Sequence, residues 1–418
     1  MRHMVHRSET ADDPHARRIV RAFTFLTIST LFGQNIGWGG ISISLFLVWG
    51  TLLWLFAYGN AVIDVARAFC FGMMLYAILL GLFLTGHVHS LPAMLLFFSA
   101  YAPLLLVVDT DQRTFAQAFR VYLGCMTVFA WIVIIQQVMQ YTVGSALWPN
   151  LHKLLPQSML VQGYFYERAY SWRSPYLMPN GIFFLEPSGL SGALSTACAA
   201  EFLWFKRWRR LVPLGVALLV GMAGTGVAVA ALVSPFLLWQ ADRRLRRWAA
   251  GLVVPLLVIS AGSGLLDHYF ARQDEFSRSN SSAHARFVTP FEETKRLLGD
   301  PGYFLTGDGP GVAPRSAAWP ITKLSYDYGV LAAVLFQVFL AVACLAAPPS
   351  RIVALTVLIP KLFFGGGFID IASLVICCSL LRVHSSPPRR LTSRDAPVPA
   401  VHGPVVCQHV LQNEEHAS

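Results

Sequence analysis

Charged residues are scarce in this sequence. Only 13% of the 418 residues are Asp, Glu, Lys or Arg, whereas 55% are hydrophobic. Soluble domains carry about 25% charged residues, so the deficit indicates that lipid surrounds much of the chain. We therefore expect an integral membrane protein and not a soluble enzyme.

Regular alternation of polar and apolar residues is also missing, which argues against the strand pattern of an outer-membrane barrel. Apolar runs recur instead, and each approaches the roughly 20 residues that a helix needs to cross a bilayer. The clearest runs cover residues 91–108, 121–138, 182–205, 251–266 and 330–346. These runs predict a helical fold with many membrane spans.

Motifs of soluble catalysis are absent: there is no Walker A sequence, no G-x-G-x-x-G after a strand, no H-E-x-x-H and no nucleophile elbow. The seven cysteines form no C-x-x-C pair, so we expect small core residues and no metal site. The net charge is +10, but the basic residues occur in short clusters between apolar runs. That placement indicates membrane orientation and not nucleic-acid binding. No cofactor is expected.

Two of the basic clusters, residues 206–210 and 243–247, are predicted to face the cytoplasm. Between them, the mostly apolar residues 211–240 are too few for two full spans and contain the glycine-rich sequence 221–226. We therefore expect two short helices hinged at these glycines. Because lipid cannot satisfy the backbone groups of a hinge, the hinge must be buried in protein or line a wet cavity. It is a candidate floor for a site.

Counting outward from the two clusters predicts an all-α polytopic membrane protein with about 12 transmembrane helices. No internal repeat and no paired broken helices, which are typical of secondary transporters, are found. The predicted order is a cytoplasmic tail in 1–21, transmembrane helices 1–5 in 22–139, a periplasmic loop in 140–181, helices 6–9 in 182–264 with the hairpin 211–240, a large periplasmic loop in 265–325, helices 10–12 in 326–381 and a disordered cytoplasmic tail in 382–418.

The two predicted periplasmic loops carry the candidate binding residues, which are arginines. The first loop holds Arg168 and Arg173 among many aromatic residues, and the second holds Arg272, Arg278, Arg286 and Arg315. The planar guanidinium of arginine can bind two phosphate oxygens at once, in bidentate fashion, and it stays charged at any working pH. Arginines from two loops on one side of the membrane therefore predict a site for a lipid-linked diphosphate.

Two carboxylates are the candidate catalytic residues. Glu186 opens the sequence Glu-Pro-Ser, where a carboxylate can cap the next helix and interact with its positive end. Alternatively, Glu186 contacts a sugar hydroxyl beside the aromatic residues, and the sequence leaves both interpretations open. Asp308 lies in the glycine-rich turn 307–311, whose spacing is a weak indication of phosphate binding.

The order of these motifs resembles the O-antigen polymerase and ligase superfamily over roughly residues 161–345. The resemblance is carried by Glu186-Pro187-Ser188 with Leu190-Ser191, by Gly224-Thr225-Gly226, by the Gly-Asp-Gly-Pro-Gly turn and by Tyr326-Asp327-Tyr328-Gly329-Val330. It implies a GT-C-like glycosyltransferase architecture and a metal-independent Wzy-type polymerase of exopolysaccharide or O-antigen. Such an enzyme, in the bacterial inner membrane, transfers a glycan from undecaprenyl diphosphate to another lipid-linked repeat unit at the periplasmic face.

The same resemblance implies roles for individual residues. Arg173, Arg286 and Arg315 are the favoured diphosphate ligands, and Arg168, Arg272 and Arg278 are further candidates. Glu186 would orient or deprotonate the acceptor hydroxyl, with Asp308 as the second choice. The expected partners are the lipid-linked oligosaccharide and the membrane, and chain-length regulator and export proteins are further candidates.

One departure from the superfamily pattern favours the polymerase over the ligase. Ligases carry a His-Asn pair shortly before the tenth span, and here residues 318–325 contain neither residue type. A flippase or transporter of lipid-linked oligosaccharide is an alternative from another class, for which Lys361, Asp370, Asp64 and Arg67 are the candidate intramembrane charges. A non-catalytic scaffold of an export complex is the third alternative.

Overall fold

A computed structural model describes the chain over residues 14–38, 41–86, 90–144, 148–149, 151–161, 167–169, 176–241, 284–314, 319–363 and 381–383, with isolated positions between 243 and 281. Four predicted site residues, Arg173, Arg272, Arg278 and Arg315, lie outside the described residues, as do Asp370 and the predicted tail after residue 383. Arg286 is described only in its backbone. The described residues are mostly helical.

The described residues of the first half of the bundle form five helices. They are α1 (Pro14–Gly33), α2 (Ile43–Ala57), α3 (Val65–Thr85), α4 (Leu91–Tyr101) and α5 (Gln112–Thr142). Helix α1 begins inside the segment predicted as a tail, and α5 extends beyond its predicted end at 139. Pro14 suits the first turn of α1, because its fixed φ is already helical and no hydrogen bond is lost.

Side-chain caps explain where four of these helices begin. Ser42, Asp64, Ser90 and Asp111 each accept a hydrogen bond from a backbone N–H in the first turn of the helix that follows, at 3.0–3.3 Å. Such caps satisfy donors that have no partner within the helix. Asp64, a candidate intramembrane charge in the transporter alternative, is therefore the cap of α3.

Among the described residues of the second half are the short helix α6 (Leu151–Leu154) and seven longer helices. These are α7 (Pro187–Ala200), α8 (Trp208–Val220), α9 (Gly224–Gln240), α10 (Thr289–Gly299), α11 (Pro320–Tyr328), α12 (Val330–Leu345) and α13 (Arg351–Phe363). The strands are short: β1 (Gly37–Trp38) pairs with β2 (Ile41–Ser42), and β4 (Leu106–Thr110) pairs antiparallel with β3 (Val62–Ile63) and parallel with β5 (Leu381–Val383).

The helices run alternately between two ends of the bundle. At the arginine-rich end, α1, α3 and α5 begin, α7 ends, and the β3-β4-β5 sheet lies. At the opposite end, which we call the loop end, α5 ends, and α7 and α12 begin after their preceding loops. Basic side chains of the arginine-rich end include Arg17, Arg18, Arg21, Arg113, Lys206, Arg207, Arg209, Arg210 and Arg351.

In the part of the chain that the structure describes, two helices, α3 and α5, are long and apolar enough to cross a membrane. Helices α2, α9 and α12 are apolar but shorter, as is the segment Leu91–Leu105 that contains α4. Helix α3 turns much of its apolar surface outward, with Val65 83% and Phe83 84% exposed. A soluble protein rarely exposes a continuous apolar face of this kind.

Helices α8 and α9 flank the glycine-rich hinge, as the sequence predicts. At the hinge, Gly221, Met222 and Ala223 are buried, so protein covers the backbone there. The N–H of Gly226 donates a buried hydrogen bond of 3.0 Å to Ser191 Oγ on α7. The hinge therefore packs directly against the helix that Glu186 introduces.

A buried ion pair closes the arginine-rich end of α7. Glu201 is 0% exposed, and its two carboxylate oxygens accept hydrogen bonds of 2.9 and 3.0 Å from the guanidinium of Arg207. The backbone N–H of Arg207 also donates to Glu201 Oε1, at 3.0 Å. The same guanidinium lies 4.8 Å from the centre of the Phe205 ring. These contacts fix the turn between α7 and α8.

Candidate functional site

Glu186 occupies the N-cap position of α7, at the loop end of the bundle. Its side chain caps no backbone N–H of the helix and instead accepts a hydrogen bond of 3.0 Å from Ser188 Oγ. The half-buried carboxylate nevertheless lies at the positive end of the helix dipole. The capping interpretation is thus supported in position but not in hydrogen bonding.

Three glutamines near the end of α5 hold the chain that leads to Glu186. Gln136 is fully buried, accepts a hydrogen bond from Gly181 N and donates to Pro149 O, each at 3.0 Å. Gln140 exchanges two hydrogen bonds with the backbone of Leu177 and donates to Gln137 Oε1 at 2.7 Å. Because a buried amide without partners is costly, this network fixes one path for the chain.

Arg168 lies in the same part of the loop end. Its carbonyl oxygen accepts a hydrogen bond of 2.7 Å from Met178 N, and its neighbour Ala169 forms an antiparallel bridge with Leu177. Nearby, Lys153 forms an ion pair of 3.1 Å with Glu167. The residues on both sides of the segment that carries Arg173 are therefore attached to the end of α5.

Asp308 is an exposed residue of the glycine-rich turn and is held by Tyr303. The Tyr303 hydroxyl donates to both carboxylate oxygens, at 2.9 and 3.2 Å. Burial raises the pKa of Tyr303, so the phenol keeps its proton at neutral pH. The turn is docked on α11, since Asp308 N donates to Tyr326 O at 2.7 Å.

The backbone N–H groups that follow the turn bind a carboxylate of the protein itself. Asp327, which is buried in α11, accepts hydrogen bonds from Gly311 N at 3.2 Å and Ala313 N at 3.0 Å. Successive N–H groups of this kind form a concave anion site. Asp327 therefore occupies the place in which the glycine spacing suggested a phosphate, and it links the Gly-Asp-Gly-Pro-Gly turn to the Tyr-Asp-Tyr-Gly-Val motif.

A charged cluster that the sequence analysis did not identify lies beside this turn. On α10, Arg296 donates to Glu293 Oε2 at 2.9 and 3.2 Å, and both side chains are hydrogen-bonded to the hydroxyl of Tyr326. The Tyr303 and Tyr326 rings meet edge to face, with centres 5.9 Å apart. The spacing of three residues between Glu293 and Arg296 indicates a helix-surface pair, but nothing local points to Tyr326.

The same helix borders a shallow groove of about 510 Å³. Lys295, Arg296 and Asp300 are among its lining residues, so charges of both signs face the groove.

The hydrogen bond from Tyr326 has the largest effect on the pKa of Glu293, which it lowers. Partial burial raises this pKa, whereas the contacts with Arg296 lower it further. Because the folded-state pKa is depressed, the associated stability is present at neutral pH and is lost as the pH falls below the ordinary Glu pKa and through the lowered one. Replacing Tyr326 by Phe should raise the pKa of Glu293 towards its usual value and flatten the stability curve between about pH 5 and pH 3.

The measurement for this prediction is the apparent melting temperature of the Tyr326→Phe protein between neutral and acidic pH. The effect should be below about 1 kcal/mol, because the pair is partly exposed. Tyr303→Phe is the matched control, since its hydroxyl contacts Asp308 and not Glu293. If the melting temperature of Tyr326→Phe fell at acidic pH as it does in the unmodified protein, the Tyr326 hydroxyl would not set the pKa of Glu293.

Comparisons with protein-family models, curated proteins and solved structures found no match for this chain. The site is therefore defined by placement alone. The structure brings Glu186 and Arg168 to the loop end through the start of α7 and the end of α5. It brings Asp308 to the same end through α11, and the helical turn that contains Arg286, residues 284–288, leads directly into α10.

Proposed function

We propose that the chain is an integral membrane protein of the bacterial inner membrane, with the arginine-rich end in the cytoplasm. Two observations support this proposal: the outward apolar face of α3 and the concentration of basic side chains at one end. Basic residues are enriched on the cytoplasmic side of membrane proteins. The loop end, with Glu186, Asp308 and the Glu293 cluster, would then face the periplasm.

At that face, we propose that the protein polymerises a surface polysaccharide from lipid-linked repeat units. One observation supports this proposal above all. The described residues that flank the two arginine-bearing loops lie at the same end of the bundle. For the first loop these are residues 167–169 and 176–186, and for the second they are residues 284–314 and 319–328. A diphosphate at the lipid boundary would be within reach of both loops.

The proposed reaction forms a glycosidic bond and releases undecaprenyl diphosphate. The acceptor hydroxyl attacks the anomeric carbon of the donor glycan, the bond to the diphosphate breaks, and the hydroxyl proton passes to a base. Glu186 is the candidate base or orienting group, with Asp308 as second choice. Diphosphate is a weak base, so arginines that neutralise its developing charge supply the main stabilisation and no general acid is needed.

Alanine replacement of Arg173, Arg286 and Arg315, one at a time, tests this function. Loss of one donor to the developing charge should slow the transfer about 10²- to 10³-fold, and the polysaccharide should shorten or disappear on gels. Arg351→Ala is the matched control, because Arg351 is exposed at the opposite end of the bundle. Membrane insertion of every variant is measured alongside.

The outcomes separate the alternatives. Single repeat units accumulating on the periplasmic face would support the polymerase. Units retained on the cytoplasmic face would favour the flippase, and polysaccharide of full length from all three variants would contradict the proposed arginine site.

A further inference from the structure

A groove of about 440 Å³ runs along the outer surface between α1 and α2. Its lining includes Phe25 on α1 and Phe46, Gly50 and Thr51 on α2. Phe25 is 49% and Phe46 63% exposed, so the described chain leaves both rings uncovered. Gly50 widens the groove, since it places no side chain there.

At one end, the groove meets charged and aromatic residues. Arg21 and Trp54 line this end, and the Trp54 ring lies 5.4 Å from that of Tyr58. The guanidinium of Arg18, one turn before Arg21, lies 5.2 Å from the centre of the Tyr58 ring. Trp and Tyr concentrate where a membrane meets water, so this end is at the depth of lipid head groups.

The described side chains at this end of the groove carry positive charge. Among the described residues, no acidic side chain forms an ion pair with the exposed Arg21. Arg17 and Arg18 lie in the turn before Arg21, so the first two turns of α1 carry three arginines. Juxtamembrane arginines attract the anionic lipids of the cytoplasmic leaflet.

We propose that this groove binds an anionic phospholipid, with its phosphate at Arg21 and an acyl chain along Phe25, Phe46 and Gly50. The site lies at the arginine-rich end and is separate from the proposed transfer site at the loop end. It rests on the proposed membrane orientation, which would place the groove against lipid at the cytoplasmic face. The negative charge of the head group complements the positive charge of Arg21. The acyl chain covers apolar surface that the described part of the protein leaves exposed.

Full-length protein in phosphatidylcholine nanodiscs, with and without phosphatidylglycerol, tests this site. Native mass spectrometry after release measures how much phosphatidylglycerol each variant retains. Arg21→Gln should retain it about five-fold less well, because one arginine near the surface is lost. Gly50→Phe should also reduce retention, since an added Cβ at Gly50 has no atom within 4 Å and the ring can enter the groove without disturbing the fold.

Two control variants match these changes. Arg351→Gln removes an exposed arginine from the same end, and Gly72→Phe adds a ring at another exposed helix glycine with open space around its Cβ. Both should retain phosphatidylglycerol as the unmodified protein does. The proposal would be overturned if Arg21→Gln and Gly50→Phe retained as much phosphatidylglycerol as the unmodified protein. Displacement of the lipid by inorganic phosphate alone would also overturn it. The assay does not depend on glycan transfer, so its failure is distinguishable from failure of the proposed function.

Discussion

Replacing Gly226 by alanine is expected to separate the α8–α9 hairpin from α7. A Cβ at this position would overlap the carbonyl oxygen of Ser191 and lie 2.8 Å from Leu218 Cδ1. The carbonyl is backbone, so no rotamer change can relieve the overlap, and α9 must shift. Overpacking of this kind costs about 1–3 kcal/mol, and the buried hydrogen bond between Gly226 N and Ser191 Oγ would weaken as well.

Gly215→Ala on α8 is the matched control for this change. An added Cβ at position 215 meets no atom within 4 Å, and alanine forms helices better than glycine. The melting temperature of the Gly215→Ala protein should therefore be unchanged or higher. We expect Gly226→Ala to melt several degrees lower in detergent. Because α7 carries Glu186 at its start, the proposed glycan transfer should fall too. A Gly226→Ala protein as stable as Gly215→Ala would contradict the close packing at the hinge.

Replacing Arg207 by glutamine is expected to be the most destabilising single change at the arginine-rich end. It removes the guanidinium that holds both oxygens of the fully buried Glu201. Loss of one partner of a buried pair costs about 3–5 kcal/mol, because the buried carboxylate loses its opposite charge and keeps only the hydrogen bond from the backbone N–H of residue 207. The cost should lie near the lower limit, since the side chain of Arg207 is itself 37% exposed.

The measurement is the yield and melting temperature of folded protein in detergent. Arg209→Gln serves as the control, because Arg209 is exposed and its guanidinium stacks on Trp208 at 5.8 Å without an acidic partner in the described chain. The double change Arg207→Gln with Glu201→Gln should recover part of the loss, since it leaves no buried charge. If the double variant is less stable than Arg207→Gln, the unpaired carboxylate is not the cause.

Local features of the sequence account for the parts of the fold that could be predicted. The hinge follows from glycines between two short apolar runs, and Pro187 after Glu186 predicts the start of α7. Both depend on backbone preferences of a few adjacent residues. Helix α1 begins at Pro14, within the predicted tail of residues 1–21, and its arginines are compatible with this because arginine is a good helix former.

The contacts that build the loop end could not be predicted in the same way. Gln136 meets Gly181, and Glu293 meets Tyr326, across 45 and 33 residues of sequence. Neither pair has a local signature, since each depends on how distant helices pack. The role of Asp327 was missed for the same reason: its position in a helix gives no sign that a glycine-rich turn folds over its carboxylate.

Helix α5 is 31 residues long, which corresponds to a rise of about 46 Å. The hydrocarbon core of a bilayer is only about 30 Å thick, so an upright α5 would project well into the aqueous phase. Its first turns, which carry the exposed Arg113 and Arg120, would then stand clear of the lipid, because the exposed side chains near its other end, Ile135, Val138 and Tyr141, are apolar. The proposed membrane placement therefore keeps the glutamine-bearing end, and the chain that leads to Glu186, at the level of the lipid head groups.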